Sequence, residues 1–390
     1  MTSAGCEVLL RARRGGRSVG RRRRSLVAAA AAAAALLLRT APGRCEPPPL
    51  WSPPPLDPLR AASLPLRPAD LIVPEHGQWS FEVAVGYFNV QESTWHAPTI
   101  HRDLGLDGQP LTSGELAMLE RAYPDDQMYL LDLEGWQVDL QASRALGRGF
   151  MVSVHLPWLE VGRPHWDGLA SALHDLIGAE QDGFEYFPYG QTVAWACGEA
   201  GRVERLGGGG SGWGDLSLAV SGAAGRWLGA DNRWAAVVEA PTGDEASLAG
   251  SGGWDLGLRW IARWEGRRSQ VLAGMGVARL DPEGGWLGLK RQDTWQLHVA
   301  YHHRLGAAWS LRLAARADSS PLDGFDDSDL GDPALLFDLG VRRELGSGSW
   351  LGMSFGENLP QVGVTPDYTL QLLVGAALGR PAAPAGPGVP

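Results

Sequence analysis

Cysteine is nearly absent from this chain, at three residues in 390: Cys6, Cys45 and Cys197. So few thiols exclude a disulfide scaffold and a multi-cysteine metal site. Long apolar runs are missing too. The one uninterrupted stretch, Ser25 to Leu38, is fourteen residues, short of the roughly 20 that a membrane-spanning helix needs. Basic charge is scarce after the start. Residues 1–44 hold ten arginines and one acid, which leaves 24 basic and 43 acidic residues in 45–390. An acidic body does not suit nucleic acid, whose phosphates require a basic surface. Signatures of chemistry are also lacking. There is no HExxH and no strand-to-helix nucleophile elbow, and Gly207 to Gly210 precede neither a Lys-Ser/Thr nor a helix start.

What is present begins with a leader. The arginine-rich segment from Arg11 to Arg24, followed by the short Ala/Leu run, reads as a secretory signal peptide over 1–44. Prolines at 47–49, 53–55, 58, 65, 68 and 74 make 45–77 an extended lead-in, tether or lining, expected in the periplasm. A barrel is expected over 78–380, and a disordered Pro/Ala/Gly tail over 381–390.

The body is rich in tryptophan, 17 against 8 phenylalanines and 7 tyrosines, and in glycine, at 53. About twelve stretches have strand character: 78–91, 127–142, 149–161, 213–224, 231–241, 253–264, 269–281, 290–304, 308–318, 332–345, 349–356 and 368–379. Most have 9 to 15 residues, near the 9–11 of a tilted spanning strand and longer than the 5–6 common in soluble sheets. Alternation is clear in several. Trp79, Phe81, Val83, Val85 and Tyr87 share a face, and Trp254, Leu256, Leu258 and Trp260 alternate with Asp255, Gly257 and Arg259. Short links (143–148, 225–230, 265–268, 305–307, 346–348) alternate strictly with long ones (92–126, 162–212, 242–252, 282–289, 319–331, 357–367). An outer-membrane barrel is built with that order of periplasmic turns and external loops. A sandwich has no reason to keep it.

Parity then assigns roles. Asp215, Asp255, Arg259 and Asp338 are expected to face the lumen. Trp227, Trp234, Trp254, Trp264, Trp309 and Trp350 are expected in the membrane girdles. Leu169, Leu173, Leu176 and Ile177 have helical spacing behind a capping Asp167, which predicts one short helix in the long external loop.

Several motifs resemble an uncharacterised bacterial family of outer-membrane barrels, the domain-of-unknown-function family three-one-eight-seven. They are Ala240-Pro-Thr-Gly-Asp244 with Leu248, Gly250-Ser-Gly-Gly-x-Asp255, Trp166-Asp-Gly with His174-Asp and Ile177-Gly, Gly212-x-Gly-Asp215-Leu, and Thr365-Pro-Asp367 before a final strand. The likeness spans about 60–380. It implies a fold and a compartment, and supplies no reaction and no catalytic residue.

Candidates for chemistry are weak. His155, His165 and His174 near Glu160, Asp167 and Asp175 lack ligand spacing, and His302 and His303 point to opposite faces of one strand. Ser153 and His155 share a face, the minimum a surface hydrolase would need. Asp323, Asp326, Asp327, Asp329 and Asp332 read as a solvated acidic loop without EF-hand spacing.

The sequence therefore predicts an all-β protein: a closed antiparallel transmembrane β-barrel of about twelve strands in the outer membrane of a Gram-negative bacterium. Its expected role is a narrow passive channel or surface barrel. The rivals are a plugged structural or adhesive barrel, an outer-membrane hydrolase, and a secreted soluble β-sandwich. Outer-membrane lipid, the barrel-assembly machinery and an unidentified solute or surface ligand are the expected partners. No nucleic acid, cofactor, metal or catalytic residue is expected.

Overall fold

In the computed structural model the described residues are 50–56, 64, 67 and 77–378, less 107, 148, 163–190, 199–200, 208, 246–247, 283–284, 287–288, 326–327, 347, 359–363 and 365. The chain opens its sheet with β1 (Trp79–Ser93), β2 (Met128–Gly147) and β3 (Phe150–Gly162). Three short strands follow: β4 (Val193–Gly198), β5 (Gly201–Leu206) and β6 (Gly210–Trp213). Next come β7 (Leu216–Trp227), β8 (Ala230–Ala240), β9 (Asp255–Glu265) and β10 (Ser269–Arg279). A small hairpin of β11 (Gly285–Trp286) and β12 (Leu289–Lys290) precedes β13 (Thr294–Arg304) and β14 (Trp309–Asp318). Last are β15 (Ala334–Gly346), β16 (Ser349–Glu357) and β17 (Tyr368–Leu378).

Twelve of these close a cylinder in the order β1-β2-β3-β7-β8-β9-β10-β13-β14-β15-β16-β17. Closure is antiparallel, from Trp79 opposite Leu378 to Asn89 opposite Tyr368. All twelve correspond to the strands read from the sequence. The turns between β2 and β3, β7 and β8, β9 and β10, β13 and β14, and β15 and β16 lie at one rim and the long connections at the other. At the β7–β8 turn Leu228 (φ 52°) and Gly229 (φ 75°) both take left-handed conformations. Two such residues match a type I′ hairpin to the twist of the strands.

The two faces of the wall are inverted relative to a water-soluble sheet. Outside, Trp79, Phe81, Val83 and Val85 on β1, Leu256 and Leu258 on β9, and Leu297 and Val299 on β13 are exposed. Inside, Gln137, Asp139, Ser153, Glu239, Gln296, His298, His302 and Arg312 are buried. A large apolar side chain left in water forgoes about 1.5–3 kcal/mol. Summed around the wall, that loss exceeds the 5–15 kcal/mol by which an ordinary domain is stable. Lipid is the medium that removes it.

The long-loop rim carries its own hydrophobic packing. Phe88, Val90, Tyr129, Leu131, Val161, Ala194, Ala196, Leu248, Phe325 and Val364 form one cluster across the mouth. The upper part of β2 outruns β3 and pairs with β4 instead, which carries the β4–β5 hairpin above the barrel. The first long loop folds into α1 (His96–Asp103) and α2 (Ser113–Ala122). A capping box starts α2. The Thr112 hydroxyl accepts the Glu115 N–H at 3.4 Å, and Glu115 Oε2 accepts the Thr112 N–H at 2.8 Å. The other oxygen of Glu115 meets His101 Nδ1 at 2.9 Å and ties α1 to α2. The helix expected at Asp167 to Ile177, together with His165, His174, the leader and the carboxy-terminal tail, lies outside the described residues. The two helices among the described residues are in the preceding loop, where strand alternation stops and capping residues take over.

The Pro-rich lead-in differs from its expected place. Its described residues are inside the cylinder: Trp51, Leu56, Leu64 and Arg67 are all buried there. Prolines exclude the segment from the ladder, and the barrel interior accepts it as an extended chain.

Candidate functional site: the barrel interior

Inward positions follow from pleat parity. On β2 and β3 they bring Gln137, Asp139, Gln141, Ser143, Ser153 and His155 together. Gln137 donates to Asp139 at 2.6 Å, Ser143 donates to Ser153 at 3.1 Å, and His155 Nε2 is bonded to Asp139. Across β13, β14 and β15 stand His298, His302, Arg312, Arg316 and Arg342. Arg312 is paired with Asp338, Arg316 with Asp318 at 2.7 Å, and Arg342 with Glu344 at 2.8 Å. Adjacent Arg312 Nη2 and His298 Nε2 are 3.3 Å apart. The interior is thus charged but largely paired, as buried ions must be.

Its width follows from the strand count. Twelve strands spaced about 4.8 Å apart and tilted about 40° give a backbone radius of about 12 Å. Inward side chains reduce that to a bore of roughly 10 Å. An extended peptide fills most of it.

The N-terminal segment is that peptide. The Leu50 carbonyl accepts from Arg342 at 3.0 Å, Pro54 from Gln371 at 3.0 Å, Pro55 from Gln137 at 3.4 Å and Leu64 from Gln296 at 3.3 Å. Arg67 lies 3.7 Å from Asp139. The Trp51 indole sits edge-on to His302 with centroids 6.5 Å apart, tilted against Trp350 at 6.3 Å, and faces Arg312 at 5.8 Å. A cavity beside the segment is lined by Pro53, Pro55, His298, Arg316, Asp338 and Thr369.

Each expected lumen residue has a definite place. Asp215 is buried under the loop that joins β8 to β9, accepting the Gly243 N–H at 2.8 Å and the Ser251 N–H at 2.6 Å. Asp255 is buried against Arg291 through contacts of 2.8 and 3.0 Å, and accepts the Asp281 N–H at 3.0 Å. These two carboxylates pin loops into the mouth and do not line a free bore. Arg259 is buried two steps below Asp255, beyond Gly257 on the same inward row of β9. Asp338 faces the interior beside Arg312.

Of the expected girdle residues, Trp227, Trp254 and Trp309 are exposed on the outer wall. Trp227 stacks on Trp260 at 5.5 Å, and the Trp264 indole N–H donates to the Leu228 carbonyl at 3.1 Å at the short-turn rim. Trp234 lies on the outward row, edge-on to Phe150. Trp350 must be reassigned. It shares the inward row with Gly352 and Ser354 while Leu351, Met353 and Phe355 face lipid, and at 7% exposure it packs on Trp51 under Arg342. Parity against Leu351 could have shown this from the sequence. Trp51, Gln137, Gln296 and Gln371 were not singled out, because nothing local marks where a proline-rich chain will lie.

Ser153 and His155 are both inward and buried, away from the outer wall where a surface hydrolase would need them. His302 faces inward, and His303 lies outside against Tyr301 at 3.1 Å.

A closed cylinder with a lipid-facing apolar exterior and a charged interior is a transmembrane β-barrel of the outer-membrane class. Within that class, the chain belongs to the family described as Protein of unknown function (DUF3187), whose profile matches residues 117–375. Among solved structures, it is similar to the COG4313 outer membrane channel from Pseudomonas putida F1. There the identity is 13%, the match covers 80% of this chain and 100% of the other, and the TM-score is 0.50. Slighter likenesses are to the NanC porin (7% identity, 76% and 100% coverage, TM-score 0.41) and to the Ralstonia pickettii toluene transporter TbuX (9%, 79% and 91%, 0.37). The first supports the fold. No curated protein matches the chain.

Proposed function

We propose that the protein is a narrow passive channel in the outer membrane of a Gram-negative bacterium, reached by signal-peptide export and inserted by the barrel-assembly machinery. The observation that carries this reading is the lining. A cylinder that served only as an anchor would have no need of an interior set with Arg312, Arg316 and Arg342 and their carboxylates Asp338, Asp318 and Glu344 around a bore of roughly 10 Å. Such a lining suits small hydrophilic solutes. The COG4313 outer membrane channel, which is similar in fold, is consistent with it.

A second reading, a plugged structural or adhesive barrel, is favoured by the N-terminal segment in the bore and the hydrophobic cluster over the mouth. Planar-bilayer recording of the refolded protein separates them. Discrete steps, from the intact chain or from one lacking residues 50–56, support a channel. Silence from both supports the structural barrel.

A further inference from the structure

We propose that the described N-terminal segment, Leu50 to Leu56 with Leu64 and Arg67, is a removable plug that closes the bore and is withdrawn through the short-turn mouth to open it. The inference rests on the channel reading. Three observations carry it.

The wall is shaped for the segment. A Cβ on Gly86 would collide with Leu56, one on Gly340 with Trp51, and one on Gly257 would come within 2.7 Å of Leu64. These three inward glycines lie on separate strands, β1, β15 and β9, and each is a recess with a plug side chain in it.

The wall is also complementary in hydrogen bonding. Proline has no N–H, so Pro53, Pro54 and Pro55 offer the wall only carbonyl acceptors. The wall answers with donors alone at Leu50, Pro54, Pro55 and Leu64: Arg342, Gln371, Gln137 and Gln296. Leu56 also joins the hydrophobic cluster at the long-loop mouth, so the plug touches the mouth packing directly.

Finally, the attachment is of a kind that can be undone. The segment makes no strand pairing with the cylinder. Among the described residues, none accepts the buried Trp51 indole N–H. Trp51 sits at the level of Arg342 and Trp350, and β1 starts at the same short-turn rim, so withdrawal requires no threading through the long-loop mouth.

The test compares three proteins in planar bilayers, each with the whole barrel: the intact chain, a chain lacking residues 50–56, and Leu56→Cys/Gly86→Cys with the native cysteines replaced by serine. Heat-modifiable gel mobility confirms that each barrel is folded. The shortened chain is expected to conduct several-fold more than the intact one. The cross-linked chain is expected to stay silent until dithiothreitol reduces it. Equal conductance of folded intact and shortened chains overturns the plug and leaves the channel standing, as does conduction by the oxidised cross-linked chain. Silence from all three, reduced or oxidised, overturns the channel and the plug together. Should the shortened chain not fold, the cysteine pair decides.

Discussion

Asp255 and Arg291 meet fully buried at the long-loop mouth, Nη1 to Oδ2 at 2.8 Å and Nη2 to Oδ1 at 3.0 Å, one on a barrel strand and the other on the loop that follows β12. The pair fastens a loop to the wall. Removing one partner strands a charge, which costs about 3–5 kcal/mol for a buried pair. Arg291→Ala is therefore expected to lower resistance to urea by about that amount, read as the midpoint of the gel-mobility shift. The double variant Asp255→Asn/Arg291→Gln should lose less than Arg291→Ala. Equal loss would mean that the pair is not coupled.

The outer wall makes a sharper demand. Val299 is exposed at mid-strand on β13. In water, Val→Arg at such a site would fall within about 0.5 kcal/mol of neutral. In lipid, arginine near the bilayer midplane costs about 2–4 kcal/mol. Unfolding of Val299→Arg from lipid vesicles should show the larger figure.

The α1–α2 loop is expected to loosen in mild acid. Burial holds the His96 imidazole below its ordinary value, against the opposing pull of Asp126 at 3.0 Å. A histidine depressed in the folded state binds its proton more readily when unfolded. Its contribution is therefore complete above the unfolded value near 6.5 and is lost as pH falls below it. Hydrogen-exchange protection over 96–106, taken relative to the intrinsic exchange rate at each pH, should fall between pH 7 and 5, and His96→Gln should remove that dependence.

Capping of α2 is separable from that effect. Thr112→Ala removes one half of the capping box and should cost about 1 kcal/mol. Glu115→Ala should cost more, because it also leaves His101 without the carboxylate 2.9 Å away. Local exchange in Ser113–Ala122 reports both.

The wall was legible in the sequence because a spanning strand must alternate, and the alternating link lengths fixed which rim is which. The strand ends differ by only a few residues where loops such as that before β7 continue the pattern as coil. The mouth was less legible. Parity marks Asp215 and Asp255 as inward, yet they hold loops at the mouth, and their partners Ser251 and Arg291 lie far along the chain. Strand alternation gives no sign of the α1–α2 pair, and only Thr112 and Glu115, which spell a capping box, mark it. Nearness to a turn suggests a girdle place for Trp350, but the pleat sends it inward to Trp51.

The central claim is that the outward row is solvated by lipid. Spin labels placed one at a time from Phe81 to Val85 on β1, in vesicles, test it most directly. The account predicts that oxygen accessibility is high at 81, 83 and 85 and low at 82 and 84, with period two. Uniform accessibility along the strand, or the opposite phase, would contradict it.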